Sequence, residues 1–442
     1  MNIINNKDKC TGCGACEQIC PANAILMCEN NEGFAYPIVS EDKCVNCGLC
    51  KKACPIKGRV AIVTLFTGNY NYGAQLQNYA VQYYLKQHFL ACDTLQGFAY
   101  PRPETLFFFR DVCLKIFNRI LDKAKFIRLK KKMLYRDSFP LSPFQQEMIN
   151  VGPKVNIRHV SGTINDTYDH FCVGSDIVWN GYSDYFFLRF CDKEKRICMI
   201  PSMCTEDALE EKLDLKKSVT SNLIVLKHNL QGGFWKLFER GLAGFENICV
   251  REDSSAIIVE KLTGKKCERL LDPTLLIDSD EWYRIMKKPK SFSEKKYLLT
   301  YFFKDLPEES FGIVKRYADE AGLIIVDVLK DLGDGLKTRP EEFLFWICNA
   351  EIVLTDSFHG TCFSIIFRKK FYSFTNGREK FKGNGKINSL LNIFHMVDRV
   401  RDSYISMDNL EKCQINYSST DEILVAERKK ATDFFVNCGL FK

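Results

Sequence analysis

The chain has 442 residues, of which 46% are hydrophobic and 26% charged, and these are ordinary values for a globular protein. This composition excludes a collagen-like, coiled-coil or wholly disordered chain, and at about 150 residues per domain the length predicts two or three domains. No apolar run reaches the roughly 18 residues of a membrane-spanning helix, and the polar residues 1–9 show no secretory signal, so we expect a cytoplasmic protein.

The net charge of +7 is concentrated in one segment. Residues 110–136 carry ten basic and two acidic side chains, so the rest of the chain is close to neutral. The charge pattern is therefore not that of a general nucleic-acid binder, and we expect no nucleic-acid partner.

The first 60 residues contain an internal cysteine repeat. Cys10, Cys13, Cys16 and Cys20 recur 34 residues later as Cys44, Cys47, Cys50 and Cys54, and each set has the spacing C-x2-C-x2-C-x3-C-P. Three cysteines separated by two residues can surround one cubane cluster, while the fourth points towards a second cluster. The repeat therefore predicts two [4Fe–4S] clusters as cofactors.

The same argument assigns the ligands of the two clusters. We expect Cys10, Cys13, Cys16 and Cys54 to hold the first cluster, and Cys20, Cys44, Cys47 and Cys50 to hold the second. The alternative is a pair of four-cysteine zinc sites, but the prolines, the x3 spacing and the doubled motif favour iron–sulfur clusters. Residues 1–58 resemble the bacterial dicluster ferredoxins, which implies a small α+β domain.

The other thirteen cysteines show no ligand spacing, and we expect most of them to be buried.

A series of alternating strands and helices follows from residue 60 onwards. Apolar runs predict strands at 60–65, 171–173, 197–200, 223–226 and 248–250, with helices at 74–89 and 254–262. A polar stretch at 281–296 is predicted as a linker, after which strands are predicted at 297–302, 323–328, 352–354 and 371–374, and helices at 308–321, 340–350 and 420–434. This alternation predicts a doubly wound α/β fold in two halves, residues 59–285 and 286–442.

The basic segment extends over residues 107–136, where apolar side chains recur at helical spacing and the opposite face is cationic. One interpretation is peripheral contact with an anionic membrane, or with a lipid-linked glycan acceptor, at the inner face of the membrane. We prefer the other interpretation, which is a solvated helix packed against the rest of the domain.

Residues that directly follow strands are candidates for the site, because ligands of open α/β sheets bind beyond the carboxyl ends of the strands. His359 lies at a predicted helix start that Ser357 can cap, and free N–H groups at such a start favour an anion. Arg251 directly follows a strand, and its guanidinium suits a carboxylate or a phosphate. The alternatives are a capping role for His359 and a surface ion pair between Arg251 and Glu252 or Asp253.

Two loops add further candidates. Gly174, Ser175, Asp176, Trp179 and Asn180 follow one strand and could hold a sugar by stacking and hydrogen bonding, the alternative being that Trp179 fills the core. Asn71, Tyr72 and Gly73 form the first strand-to-helix turn, which is a weak phosphate or sugar site by itself. This turn lacks the GxGxxG pattern, so dinucleotide binding has no support.

In these segments the chain resembles the polysaccharide pyruvyl transferase family over about residues 60–374. The resemblance is carried by Asn71-Tyr72-Gly73-Ala74-Gln75-Leu76-Gln77, Val173-Gly174-Ser175-Asp176 with Val178-Trp179-Asn180, Val250-Arg251-Glu252, Leu271-Asp272-Pro273-Thr274 and Thr355-Asp356-Ser357-Phe358-His359-Gly360. It implies a GT-B-like pair of Rossmann-type domains. Some members have an arginine and then Leu or Met before the histidine, where this chain has Ser357 and Phe358.

The resemblance also implies an activity, namely transfer of a pyruvyl group from phosphoenolpyruvate to a sugar of a cell-surface polysaccharide precursor, as a ketal. It implies that His359 and Arg251 contact the donor as catalytic residues, with Asp356, Ser357 and Gly360 as binding residues beside them. Two alternatives stay open. The chain could be an electron-transfer protein whose ferredoxin half serves a redox partner protein, or a carbohydrate-binding body without activity.

Overall fold

The structure is a computed structural model that describes residues 10–30, 32–45, 47, 49–54, 57–66, 71–98, 141–157, 159–179, 183–203, 234–330, 338–375 and 385–440. The predicted strand at 223–226, the basic segment 107–136 and the candidate Asn180 lie outside these residues. In the part of the chain that is described, no helix has the length and apolar character needed to cross a bilayer.

The elements are numbered here in chain order. The strands are β1 (Ile25–Glu29), β2 (Ala35–Val39), β3 (Lys57–Val63), β4 (Phe89–Phe98), β5 (Val151–Asn156), β6 (His170–Gly174), β7 (Arg196–Met199), β8 (Ile248–Val250), β9 (Cys267–Arg269), β10 (Tyr297–Tyr301), β11 (Ile324–Asp327), β12 (Ile352–Thr355), β13 (Lys370–Phe374) and β14 (Val400–Arg401). The helices are α1 (Ala15–Gln18), α2 (Leu49–Ala53), α3 (Tyr72–Lys86), α4 (Pro143–Met148), α5 (Thr163–Thr167), α6 (Phe234–Leu242), α7 (Asp253–Thr263), α8 (Pro273–Leu276), α9 (Ser279–Ile285), α10 (Glu308–Glu320), α11 (Pro340–Asn349), α12 (Phe358–Ile366), α13 (Gly385–Ile393), α14 (Met407–Glu411) and α15 (Thr420–Asn437).

The N-terminal region is a small α+β unit, as its sequence predicts. Its strands β1 and β2 pair antiparallel, with Leu26 opposite Ile38. Helix α1 carries Cys16 and α2 carries Cys50. Gly12 lies in the left-handed region with φ of 66°, a conformation that costs glycine nothing because it has no Cβ.

The first large sheet has the strand order β5-β4-β3-β6-β7, and all its neighbouring strands are parallel. Counted along the chain this order is 3-2-1-4-5, which is that of a Rossmann-type sheet. The central strand β3 is apolar because helices cover both faces of the sheet, and its Val60 and Ile62 are fully buried. The parallel pair β8–β9 lies beside β7, where the backbone N–H of Arg251 donates to the carbonyl of Pro201 at 3.3 Å.

The second large sheet has the order β11-β10-β12-β13-β14, again with parallel neighbours. Counted along the chain this is 2-1-3-4-5, the other common order of doubly wound sheets. Two Rossmann-type sheets with helices on their faces form a GT-B-like α/β body. The fold class predicted from the sequence is confirmed.

The two halves are connected through aromatic packing. The ring of Tyr72, at the start of α3, stacks on Phe343 of α11 with centroids 5.0 Å apart. Its hydroxyl donates to the carbonyl of Val328 at 3.3 Å, just after β11. The first turn of α3, in the first half, therefore contacts the second half directly.

The last helix also joins the halves, because α15 returns to the first half after the second sheet is complete. Arg428 of α15 donates to the carbonyls of Leu275 at 2.9 Å and Ile277 at 2.6 Å. The ring of Phe435 lies 6.1 Å from that of Tyr84 on α3. The sequence gives no sign of this return, since its helical pattern is compatible with either half.

Two details of the sequence prediction need correction. The stretch predicted as a linker begins inside α9, where Trp282 is fully buried and donates to the carbonyl of Thr274 at 3.1 Å. The helix predicted to extend to Phe89 ends at Lys86, and Phe89 begins β4. Most of the non-repeat cysteines within the described ranges are buried, as expected: Cys92, Cys172, Cys191, Cys198, Cys249, Cys267, Cys362 and Cys413.

Candidate active site

The candidate residues that follow strands meet at the carboxyl ends of the two large sheets. Arg251 follows β8, Ser175 follows β6, and His359 is the second residue of α12, which follows β12. They converge on a residue that the sequence analysis did not single out, Asp272, which precedes α8. Because parallel strands of one sheet end at the same edge, residues far apart in the sequence are brought together here.

Asp272 uses both of its carboxylate oxygens. Oδ1 caps α8, accepting from the backbone N–H of Thr274 at 3.0 Å and from its hydroxyl at 2.7 Å. Oδ2 accepts from Arg251 Nη1 at 2.8 Å and from Ser175 Oγ at 3.3 Å, and lies 3.6 Å from His359 Nε2. Asp272 is 1% exposed, so this is a buried carboxylate with four neighbouring partner residues.

The charges in this group stabilise one another. Burial by itself raises the pKa of Asp272, but the neighbouring His359 and Arg251 outweigh burial and hold this pKa well below its usual range. Burial likewise opposes the charged form of Arg251, yet the carboxylates of Asp272 and Glu252 raise its pKa. The guanidinium is therefore a fixed cation, and the surface ion pair considered as an alternative is wrong, because Arg251 is only 5% exposed.

Arg251 has a second set of neighbours. Its guanidinium lies over the ring of Phe358, 4.3 Å from the centroid, which is a cation–π contact. Its Nε lies 3.6 Å from Glu252 Oε2, beyond hydrogen-bond distance. Among the described residues, Nε of Arg251 and Nε2 of His359 are buried without a hydrogen-bond partner. Nε of Arg251 is therefore a buried donor inside the site, while Nε2 of His359 faces the Asp272 carboxylate.

His359 sits at the beginning of α12 because Ser357 caps this helix. The Ser357 hydroxyl accepts from the backbone N–H of Gly360 at 3.3 Å. The imidazole packs against Gly73 of α3, such that a Cβ added to Gly73 would lie 2.2 Å from His359 Nδ1. Gly73 is therefore required to be glycine by the close approach of the second half.

The other predicted residues have structural contacts. Asn71 caps α3 by accepting from the backbone N–H of Ala74 at 3.1 Å. Asp356 accepts from the backbone N–H groups of Phe303 at 2.8 Å and Lys304 at 3.2 Å, and so fixes the loop after β10. Gly360 packs on Thr355, because an added Cβ would lie 2.5 Å from the Thr355 hydroxyl.

The loop after β6 brings two of its candidates to the site and one to the core. Gly174 ends the strand, Ser175 binds Asp272, and Asp176 lies near enough to Arg251 to raise its pKa, after the larger effects of burial, Asp272 and Glu252. Trp179 is 1% exposed and stacks on Phe187 at 5.4 Å between centroids. Its ring fills the core, which was the alternative interpretation, and is not open to stack on a sugar.

Sequence reasoning missed two acidic residues of the site. Asp272 was quoted only within a family segment, although an Asp-Pro pair after an apolar stretch is the signature of a capped helix start. Glu252, 1% exposed, accepts from Ser202 Oγ at 2.9 Å and from the backbone N–H of Met203 at 3.0 Å. Only the fold shows that both acids are buried beside Arg251.

The N-terminal cysteines form the second candidate site. Backbone N–H groups donate to two sulfurs, from Gly12 to Cys10 at 3.4 Å and from Ala24 to Cys20 at 3.3 Å. Burial raises the pKa of Cys16, and the negative charges of Cys54 and Cys10 raise it further, so these three thiols are neighbours. In the described part of this region no three ligand side chains are yet arranged to hold a metal ion. The thiolate donor set itself is that of iron–sulfur clusters.

Comparison with known families identifies two parts of the chain. The family model for polysaccharide pyruvyl transferase matches residues 71–378, which is more than half of the chain. The chain belongs to the polysaccharide pyruvyl transferase family. Residues 9–57 match the 4Fe-4S dicluster domain, so this family member carries an iron–sulfur domain before its transferase body. No curated protein matches the chain.

Several solved structures are similar to this pyruvyl transferase family member at low identity. UDP-GlcNAc 2-epimerase from Neisseria meningitidis, bound to UDP-GlcNAc, is 10% identical with a TM-score of 0.39, covering 84% of this chain and 100% of its own. The wall teichoic acid polymerase TagF is 11% identical with a TM-score of 0.39, covering 86% and 84%. The heptosyltransferase WaaC from E. coli, with ADP, is 10% identical with a TM-score of 0.33, covering 84% and 99%. TM-scores this low carry no argument about function.

Proposed function

We propose that this protein transfers the pyruvyl group of phosphoenolpyruvate to two hydroxyls of a sugar in a cell-surface polysaccharide precursor, with release of inorganic phosphate. The observation that carries the proposal is that a buried arginine of the first half and a histidine of the second half meet on one carboxylate. The family of the chain supports the reaction class.

The donor has two anionic groups, a carboxylate and a phosphate, and the site offers matching cations and donors. Arg251 is a fixed cation with Nε unpartnered among the described residues. His359 lies in the first turn of the nine-residue helix α12, where the helix dipole favours an anion. We assign the donor to this position, with Gly73, Tyr72 and Asn71 forming its opposite wall.

The chemistry uses proton transfer and no redox step. His359 gives a proton to the methylene carbon of phosphoenolpyruvate, and the adjacent carbon becomes an oxocarbenium ion that Arg251 stabilises through the carboxylate. One sugar hydroxyl bonds to this carbon, the bond to the phosphate oxygen breaks, and a second hydroxyl closes the ketal. Of the two hydroxyl protons, one returns to His359 and the other leaves on phosphate, so atoms and charge balance.

For the acceptor we propose the loop Gly174, Ser175 and Asp176, on the first-half side of the site, with hydroxyls near the Asp176 carboxylate; Asn180 remains a candidate from the sequence. Asp356 and Gly360 support the donor side through the loop after β10 and the first turn of α12. The acceptor is a sugar, free or carried on a lipid-linked glycan. We place the reaction in the cytoplasm, in contact with the inner face of the membrane only if the acceptor is lipid-linked.

Phosphate release tests this proposal. Anaerobically purified protein is mixed with phosphoenolpyruvate and a panel of sugar acceptors, and the ketal is identified by mass spectrometry. We expect acceptor-dependent phosphate release with a mass gain of one pyruvyl group on the sugar. Hydrolysis of phosphoenolpyruvate without a ketal, or no release with any acceptor, would contradict it.

The 4Fe-4S domain favours a second candidate function, electron transfer to a redox partner protein. We propose Cys10, Cys13, Cys16 and Cys54 as ligands of one cluster and Cys20, Cys44, Cys47 and Cys50 as ligands of the other. The proximity of Cys16, Cys54 and Cys10 supports the first set. Each cluster, when bound, supplies a site for one electron. If the rate of phosphate release is the same with the clusters oxidised and reduced, pyruvyl transfer is independent of electron transfer. If the rate depends on cluster reduction, the two functions are coupled.

A further inference from the structure

The contacts of Asp272 determine which nitrogen of His359 carries a proton. An ionised carboxylate can only accept hydrogen bonds, and Oδ2 faces His359 Nε2 at 3.6 Å. In the neutral imidazole one nitrogen is a donor and the other an acceptor. The nitrogen that faces the carboxylate is therefore the protonated one, Nε2, and Nδ1 holds the lone pair.

The carboxylate cannot rotate to offer a different geometry. Its Oδ1 is held by the backbone N–H and hydroxyl of Thr274, and its Oδ2 by Arg251 and Ser175. The side chain of Asp272 is 0% exposed, so water does not compete. The charged and titratable groups around this pair are Arg251 and Glu252 at the start of α7, Asp176 after β6, and Cys362 on α12 itself.

The other edge of the imidazole faces the first half. A Cβ added to Gly73 would lie 2.2 Å from Nδ1, 2.4 Å from Cγ and 2.6 Å from Cβ of His359, so the backbone of this turn packs against that part of the ring.

We infer that Asp272 is a positioning residue, which faces His359 Nε2 and keeps the proton of the neutral ring there, so that Nδ1 is the remaining nitrogen for proton exchange with the substrate. The kinetic consequence rests on the proposed function, whereas the protonation pattern does not. Asp272 also orients Arg251 through the same oxygen, and so couples the donor-binding cation to the proton carrier.

Nitrogen NMR of the full-length protein tests the protonation pattern directly. With 15N-labelled histidine, the signals of His359 are assigned by their loss in His359→Asn, since the chain has only six histidines. We expect the neutral ring to show the proton on Nε2. A neutral ring with its proton on Nδ1 would overturn the inference. This test needs only the spectrum of the wild-type protein, so it does not depend on whether Asp272 variants fold.

Asp272→Asn tests the positioning role. An amide whose oxygen stays on Thr274 places its NH2 group at the position of Oδ2, where it donates to Nε2, and we then expect the proton of His359 to move to Nδ1. When the histidine of a carboxylate–histidine pair carries its proton on the other nitrogen, kcat falls by about 10²–10⁴-fold. We expect the fall in kcat to exceed the rise in KM. Unchanged kcat, or an unchanged His359 spectrum, would overturn the inference.

Asp278→Asn is the matched control, because Asp278 also precedes a helix and binds an arginine, Arg428, at 2.6 Å. Its side chain is 82% exposed and lies outside the site, so kcat and the His359 signals should remain those of wild type. If phosphoenolpyruvate proves not to be the donor, the NMR result still reports the position of the proton. Failure of the proposed function can therefore be distinguished from failure of the positioning role.

Discussion

The two halves of the transferase body contribute unlike parts to the site. The first half supplies Arg251, Ser175 and Asp272, which are buried and hydrogen-bonded to one another. The second half supplies His359 and Phe358 on one helix end. The first half therefore holds a fixed electrostatic framework, and the second brings a proton carrier to it. A substitution in the framework should damage both stability and activity, whereas a substitution of the carrier should damage activity alone.

Arg251→Met breaks the framework and should have the largest effect. It leaves the Asp272 carboxylate buried without its strongest partner, which costs about 3–5 kcal/mol of unfolding free energy, and it removes the donor-binding cation. Chemical denaturation and phosphate release measure the two losses. Arg189→Met is the control, because Arg189 forms a partly exposed pair with Asp184 at 3.2 Å and should cost less than about 1 kcal/mol.

His359→Asn removes the proton carrier and leaves the framework. We expect kcat to fall by about 10²–10⁴-fold, the usual contribution of general acid–base catalysis. Unfolding free energy should fall by less than in the Arg251 variant, because Asp272 keeps Arg251 and Ser175. His395→Asn is the matched control, since His395 is exposed with φ of 56°, a conformation that asparagine tolerates. Equal loss of stability in the Arg251 and His359 variants would contradict the division between the halves.

Gly73→Ala tests the contact between framework and carrier. The new Cβ would lie 2.2 Å from His359 Nδ1, so the ring must move, and a displacement of about 1 Å can cost 10²-fold in rate. Gly312→Ala, on the open side of α10, is the control, because nothing lies within 4 Å of its Cβ and alanine favours the helix. Equal rates in the two variants would show that His359 does not need its present position.

The pH dependence of stability also reflects the shared carboxylate. The pKa of Asp272 in the folded protein lies below its ordinary value of 3.8. Its contribution to stability is therefore complete above that value and is lost as the pH falls through and below it. Urea midpoints measured from about pH 6 downwards should decline less steeply in Asp272→Asn than in wild type. Parallel curves would mean that the pKa of Asp272 is the same in the folded and unfolded proteins.

Tyr72→Phe should have the smallest effect. The substitution keeps the stacking on Phe343 and removes the hydrogen bond to the carbonyl of Val328, which is worth about 1 kcal/mol. We expect a loss of stability of this size, measured by denaturation, with kcat within a few-fold of wild type. A large fall in kcat at unchanged stability would mean that the hydroxyl acts in the site instead.

Local patterns were sufficient to predict most elements and part of the site. Arg251 and His359 could be predicted because each follows an apolar strand, and the cysteine repeat because its spacing is chemically specific. Asp272 could not be recognised, since its importance comes from Ser175, Arg251 and His359, which are distant in sequence. Strand β4 was missed because Phe89 continues the apolar spacing of α3.

The linker prediction failed for a related reason. Glu281 and Trp282 stand among lysines and a proline, so the segment is polar on average, yet Trp282 is fully buried and Glu281 accepts hydrogen bonds from Tyr79 and Arg284. Composition averages over such a segment, whereas a single buried indole is enough to attach it to the core.

The return of α15 to the first half has a consequence for how the protein is made. Phe435 packs against Tyr84, which is synthesised about 350 residues earlier, so this contact of the first half can form only after the second half has been synthesised. Contacts so distant along the chain slow folding. A nascent chain that ends before residue 420 lacks α15, and Phe435 then does not cover the surface of α3 around Tyr84.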